Sequence, residues 1–391
     1  MRVALVTNIP APYRLPVFRA LAATPGWVLR IFVSAEREFD RSWRVDASGL
    51  DLERVRGLAL RARSATRGAI RVEQRTTRHL PFGLLASLAR FGPQVVVSGE
   101  LGARTWLALL YCRVFGVPLV VWSYHSRVSI SGAGPVRRAL ARALLRRARA
   151  VIGMGSQARR VLERLGVPPG RIFDAPNACD HDGLMRALAR SDGEARRQEL
   201  EIEYGARKRI ALVAGRLVPA KGISPLLSAW RLVPEEVRAG WTLLFVGSGP
   251  LAGRVQAESG GRPPGEVLFV PGVQPEELAS YYAACRLLIF PTLSEPWGLV
   301  VNEALACGRP VLCSVHAGCA DDLVQPGVNG WLADPADPDD FARALEVALT
   351  SNELERLGEA ARRTAERFRP EAMAEGMRRA VVAAAFLGDV P

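Results

Sequence analysis

One opening occurs twice in this chain, and it limits the folds available. RVALVTN (2–8) and RIALVAG (209–215) are short apolar runs that each end in turn-forming residues. Behind the first come VLRIFVS (28–34), VVVSG (95–99), PLVVWS (118–123) and VIGMG (151–155). Behind the second come TLLFVGSG (242–249), VLFVPG (267–272), LLIFPT (287–292) and PVLCS (310–314). Runs that are apolar throughout, rather than alternately, suit strands covered on both faces. Helix-periodic stretches such as 16–22 and 104–114 lie between them. Strands that alternate with helices imply crossover connections and a parallel sheet. The expected fold is α/β, with a first half over 1–175 and a second over 205–370. The polar, charged stretch 174–208 is the expected linker. A single core usually splits below 391 residues, which agrees.

The tail reads as helical. Asp337 is placed to cap a helix with Pro338 in its first turn, Thr350 and Glu353 fit a capping box for the next, and a last helix covers about 370–387. In open α/β sheets ligands bind beyond the carboxyl ends of the strands, so the loops after each strand are where chemistry is sought.

Charge narrows the partners. Lys and Arg number 52 against 39 Asp and Glu, a net charge of +13, with a pI near 10.3. That balance favours an anionic partner: nucleic acid, an anionic membrane face or a phosphorylated substrate. Aromatic residues do not interleave the basic ones, which argues against nucleic acid. Only Lys208 and Lys221 are lysines, so part of the Arg excess is compositional and a retained Lys stands out. The cysteines (112, 179, 285, 307, 313 and 319) form no CxxC pair and no common zinc spacing. They read as small buried hydrophobes of a reducing cytosol. The first apolar run is too short for a secretory signal. The longest apolar stretch, 106–122, is broken by Arg113, Gly116 and Pro118, so a cytoplasmic location is expected.

Two motifs carry the chemistry. EPWGLVVNEALACGRPV (295–311) reads as a loop and a helix over 298–307, stopped by Gly308 and Pro310. Backbone N–H groups at Gly298, Leu299 and Val300, with the helix dipole, form an anion site. At a helical rise of about 1.5 Å per residue, Glu295 and Glu303 are roughly 12 Å apart, the reach of a diphosphate with a sugar at each end. A capping Glu and a solvated helix Glu fit the same spacing. AGRLVPAKG (214–222) puts Arg216 and Lys221 in one glycine-flanked loop after a strand. Two cations there can neutralise a diphosphate, or simply face solvent. GSGP (247–250) is a weak nucleotide loop, short of a full glycine fingerprint.

In order, GRLVPAKG, LLFVGSGP, LFVPGVQPEELASYYAACRLLIFPTLSEPWGLVVNEALACGRPV and GVNGWL resemble the donor half of the retaining family 4 glycosyltransferases (glycosyltransferase group 1). The likeness is close over 209–368 and looser before it, where it rests on the opening strand, PLVVWSYH and FDAPNACD (173–180). It implies the GT-B fold: two Rossmann-like domains facing across a cleft, with a C-terminal helix over 371–391 returning to the first. It implies that a hexose moves from a nucleotide-diphosphate sugar to a hydroxyl of a glycan, lipid-linked or small-molecule acceptor. The anomeric configuration is retained. Arg216, Lys221 and the helix N-terminus supply positive charge by themselves, so no metal or other cofactor is expected. Carried across residue by residue, it puts Arg216 and Lys221 on the diphosphate, Glu303 on the ribose and Glu295 on the donor sugar. The amides of Gly298, Leu299 and Val300 hold sugar and phosphate, and His125 lines the reaction centre. The sequence departs from the family in NIPAPYRLP (8–16), whose Asn8, Tyr13 and Arg14 are acceptor candidates. It departs again in HAGCADDLV (316–324), where Asp321 replaces the usual Glu. A nucleotide-sugar epimerase and a non-catalytic sugar-nucleotide-binding subunit stay open as alternatives.

Three features lie outside the resemblance. DHD (180–182) and DPD (337–339) have the spacing of a metal-holding pair, but Asp337 already reads as a cap and DHD falls at the linker. His316 ends a strand near the expected donor residues, while His79 and His181 read as surface residues. VRRALARALLRRARA (136–150) is Arg-rich at helical spacing, with Val136, Leu140, Leu144 and Leu145 as an apolar stripe. It fits an ordinary surface helix, or docking at the inner face of an anionic membrane.

Overall fold

The computed structural model of the chain describes residues 1–36, 45–67, 71–124, 134–260 and 266–386. They form two units. One holds Met1–Gly68, Glu73–Asp180 and Arg369–Pro391, and the other holds His181–Phe368 with Ala69–Val72.

The first unit runs through β1 (Arg2–Thr7), β2 (Val28–Val33) and β3 (Leu52–Arg54). A separate two-stranded sheet of β4 (Leu58–Arg67) and β5 (Arg71–Leu80) follows. Then come β6 (Val95–Gly99), β7 (Leu119–Ser123), β8 (Ala150–Gly153) and β9 (Ile172–Asp174). Seven strands form one parallel sheet in the order β3-β2-β1-β6-β7-β8-β9. Leu5 of β1 stands between Ile31 and Val97. β6, β7 and β8 are buried at every position, as their unbroken apolar runs require. Val6, Phe32, Leu88, Val96, Val121 and Leu162 belong to its core. The last helix, Pro370–Phe386, packs on the helix Leu15–Ala22 and on β8 and β9. It buries Met373, Met377 and Val381, so the end of the chain completes the unit that its beginning starts.

The second unit holds β10 (Arg209–Ala214), β11 (Trp241–Gly247), β12 (Val267–Pro271), β13 (Leu287–Phe290), β14 (Val311–Ser314) and β15 (Gly330–Ala333). Their order is β12-β11-β10-β13-β14-β15, again parallel. Trp230, Trp241, Phe245, Leu312, Phe341 and Leu345 lie in its core. Strand order reverses beside each opening strand, at β1/β6 and at β10/β13. Ligands of open α/β sheets bind at such switch points.

Some expectations change. The stretch 174–208 is not a linker: it contains the helices His181–Ala189 and Gly193–Tyr204, which pack on the helix Pro275–Ala284. Its charges lie along a helix surface, as where Arg197 meets Glu194 at 2.5 Å and Glu201 at 2.8 Å. Charge density alone does not separate a linker from a solvated helix face. His181, read as a surface residue, is buried and lies 3.3 Å from Glu366. His79 is half-buried. Thr350 closes the helix Pro338–Thr350 and bonds back to Glu346, so the capping box does not form. Ser351 instead accepts the N–H of Glu353 at 3.2 Å. Asp337 does cap its helix, accepting from Asp339 and Asp340 at 3.1 Å each. All six cysteines are buried free thiols. Among the described residues no helix is long and apolar enough to cross a membrane.

Candidate active site

The site begins in the loop after β10. Pro219–Lys221 makes one tight turn, and Gly222 follows with φ 68°. A Cβ on Gly222 would lie 1.8 Å from the Pro291 carbonyl oxygen, so the loop rests directly on the segment that leaves β13. The Thr292 hydroxyl and the Leu293 N–H both donate to the Ala220 carbonyl, at 3.0 and 2.8 Å. This contact delivers Lys221 to Glu295, where Nζ donates to Oε2. The ammonium also lies 5.0 Å from the Phe290 ring centre. Both partners are largely shielded, with side chains 20% and 21% exposed. Arg216 is half-buried in the same loop. Leu217 donates its N–H to Ser248 at 2.8 Å, which ties the GSGP loop alongside.

Beyond Glu295 the backbone is held from one side. The Glu295 carbonyl accepts from Gly318 at 3.0 Å, and that of Trp297 from Cys319 at 3.1 Å. Trp297 is buried and donates Nε1–H to Asn302 at 2.7 Å. Gly298 has φ 115°, and a Cβ there would meet the Phe290 ring at 2.7 Å. The helix Leu299–Ala306 starts from it, so Gly298, Leu299 and Val300 open a helix N-terminus as the sequence predicts. Glu303 lies on that helix and accepts a 2.7 Å hydrogen bond from the Tyr282 hydroxyl. Burial pushes the Glu303 carboxyl above the ordinary range, against the pull of that bond. Burial also holds the Tyr282 phenol well up, with Glu303 adding to it. The helical spacing estimated for the two glutamates needs correction. Glu295 precedes the helix and forms a bridge with Ala317, so the helical rise applies only from Leu299 onward. His316, after β14, lies 2.8 Å from the Asp334 carboxylate, and Asp321 sits in the short helix Ala320–Leu323.

The first unit gathers polar groups at the carboxyl ends of β1, β6 and β7. Arg14 is buried, donating Nη1–H to Thr7 at 3.0 Å and to Asn8 at 3.3 Å. Its guanidinium lies 5.5, 5.0 and 4.7 Å from the ring centres of Tyr13, Trp122 and Tyr124. Asn8, Tyr13 and Arg14 are therefore brought together. Nearby, Glu100 has φ 71°, the only positive φ outside glycine among the described residues. Its N–H donates to the Trp122 carbonyl at 2.9 Å, and its carbonyl accepts from the Thr105 hydroxyl at 2.6 Å. Its carboxylate meets the buried Arg104 at 3.2 Å. The Tyr124 hydroxyl is buried and has no hydrogen-bond partner among the described residues. His125 lies outside the described residues.

Family models match both units. One, described as Glycosyltransferase Family 4, covers residues 45–182. The other, described as Glycosyl transferases group 1, covers 196–364. The chain belongs to the group 1 glycosyltransferases. The sulfoquinovosyl transferase SQD2 of Arabidopsis thaliana is 27% identical over 73% of this chain and 56% of its own length. The D-inositol 3-phosphate glycosyltransferase of Geodermatophilus obscurus is 30% identical over 61% of this chain and 53% of its own length. The chain spans about half the length of the curated relatives it matches. Among solved structures, a sucrose-phosphate synthase from Thermosynechococcus elongatus superposes with a TM-score of 0.70 at 21% identity, covering 97% of this chain and 98% of that one. Anabaena HepE in complex with UDP-glucose gives 0.70 at 18%, with the same coverage. These likenesses establish the GT-B fold.

In this group 1 chain, sequence reading missed the Lys221–Glu295 pair, Tyr282, and the Glu100, Arg104 and Tyr124 cluster. Position was the one available signal for the cluster: Glu100 and Tyr124 directly follow β6 and β7. Non-glycine residues held in the left-handed region cluster at active sites and ligand clamps.

Proposed function

We propose that this chain transfers a hexose from a nucleotide-diphosphate sugar to an acceptor hydroxyl, with retention of configuration. The observation that carries the reading is the Lys221–Glu295 pair at the β10/β13 switch point, ahead of a helix N-terminus and Glu303. The names of the relatives agree in kind, since sulfoquinovosyl, inositol-phosphate and mannosyl enzymes all move sugars. Without donor, Glu295 neutralises Lys221. A bound diphosphate takes over the ammonium and frees the Glu295 carboxylate for the sugar hydroxyls. Arg216, Lys221 and the amides of Gly298, Leu299 and Val300 then meet the charge that builds on the departing diphosphate, already in place before it forms. They fill the role a divalent metal has elsewhere. Glu303 accepts from the ribose hydroxyls. Asn8, Tyr13 and Arg14 serve the acceptor, and His125 lines the reaction centre. Attack comes from the face the diphosphate leaves, with no covalent sugar–enzyme intermediate; a glycosyl adduct trapped in mass spectrometry contradicts that step.

The test is nucleoside-diphosphate release from a panel of nucleotide sugars, with and without EDTA, for wild type and Lys221→Ala. The expected result is release from one donor, insensitive to EDTA, and lowered about a hundredfold or more in the variant. Release that Lys221→Ala leaves intact overturns the assignment. Donor binding without release, acceptors included, points to the sugar-nucleotide-binding subunit instead.

A further inference from the structure

Two neighbouring helices of the first unit carry exposed apolar side chains together with exposed arginines. On the helix Ala103–Phe115, Leu110, Val114 and Phe115 stand 51%, 67% and 59% exposed. Leu110 and Val114 are one turn apart, and the half-buried Leu107 continues their face. The helix Pro135–Arg147 packs against this one. Its apolar stripe divides: Leu144 and Leu145 are buried, while Val136 and Leu140 stand 71% and 51% exposed. The first turns therefore carry their apolar side chains out into solvent. Neither helix contains an Asp or Glu, and their exposed arginines are Arg113, Arg137, Arg138, Arg142, Arg146 and Arg147, Arg104 being buried. Among the described residues none of these arginines is paired with a carboxylate.

We propose that this face docks on an anionic lipid bilayer, with Leu110, Val114, Phe115, Val136 and Leu140 entering the headgroup boundary and the arginines meeting lipid phosphates. Charge selects the occupant. Exposed apolar side chains on the same two helices as unopposed arginines complement an anionic interface, where long Arg side chains reach the headgroups while apolar ones enter the acyl boundary. A second copy meeting this face about a two-fold axis would set arginine against arginine. A nucleic acid would leave the exposed leucine and valine side chains in water. The inference stands apart from the donor reading, because binding is measured without nucleotide sugar.

The test is co-sedimentation of the full chain with phosphatidylcholine vesicles, with or without one third phosphatidylglycerol, at low and high sodium chloride. Two variants accompany wild type: Leu110→Ser with Val114→Ser and Phe115→Ser, and Arg137→Gln with Arg138→Gln and Arg142→Gln. Thermal melts check that both fold. The expected result is binding to the anionic vesicles alone, released by salt and weakened about tenfold or more by each variant. Three results overturn the proposal: no binding to anionic vesicles; binding that the serine variant leaves unchanged; or a dimer in analytical ultracentrifugation that the serine variant breaks in a chain that ignores vesicles.

Discussion

At the scale of single residues, Glu303 shows how a site trades stability for binding. Its carboxyl titrates above the ordinary value of 4.5 because burial disfavours the charge. The folded chain thus holds this proton more tightly than the unfolded chain does. By linkage, ionised Glu303 lowers stability as pH rises beyond 4.5, and the penalty is absent below it. Glu303→Gln keeps an acceptor for the Tyr282 hydroxyl and removes the charge. Scanning fluorimetry should find the variant more stable than wild type at neutral pH, with the gain shrinking towards pH 4.5. Titration with a nucleoside diphosphate should find binding weaker by roughly ten- to a hundredfold, since a charge-assisted hydrogen bond to the ribose is lost. Equal affinity would remove Glu303 from the nucleotide site. The sequence marked Glu303 and Glu295 by spacing, yet Tyr282 and Lys221 were invisible as their partners. Residues 21 and 74 positions away meet them only through folding.

Among elements, the strands with unbroken apolar runs were legible and the polar ones were not. β6, β7, β10 and β11 follow directly from their composition, because both faces are covered. β4 and β5 read LALRARSATR and RVEQRTTRHL, which carry no continuous apolar run to announce them. The helices over 181–204 were hidden for the same reason: their charged faces outweigh a narrow buried one, represented by Leu200. Loops obey a stricter rule. Gly222 combines positive φ with backbone contact to Pro291, so Gly222→Ala strains the backbone and clashes at once. The expected loss is about 3 kcal/mol in urea unfolding. Donor turnover should also fall, because the same turn sets Lys221 on Glu295. A variant with wild-type stability would show that the loop is free to shift.

For the whole molecule, the course of the chain matters more than any motif. The helix Pro370–Phe386 comes last in sequence and packs in the first unit. Ending the chain after Phe368 should lower the melting of the first unit by several degrees and leave the second transition in place; calorimetry separates the two. A single unchanged transition would mean that the helix contributes nothing to either core. By itself the sequence determined the class of fold, the two openings, the Asp337 cap, the helix start at Gly298 and the loop cations. These depend on neighbours a few residues apart, through period, capping and turn chemistry. Only the tertiary structure decided that Lys221 meets Glu295 and that Arg14 and Glu100 share one end of a sheet. It also decided that buried Glu266 is held by Trp230 and Arg238, and that Leu110 and Val136 stand exposed on two helices that pack together. Strand order and helix packing bring these pairs together, and both arise from burial summed over a whole core, which no local spacing records.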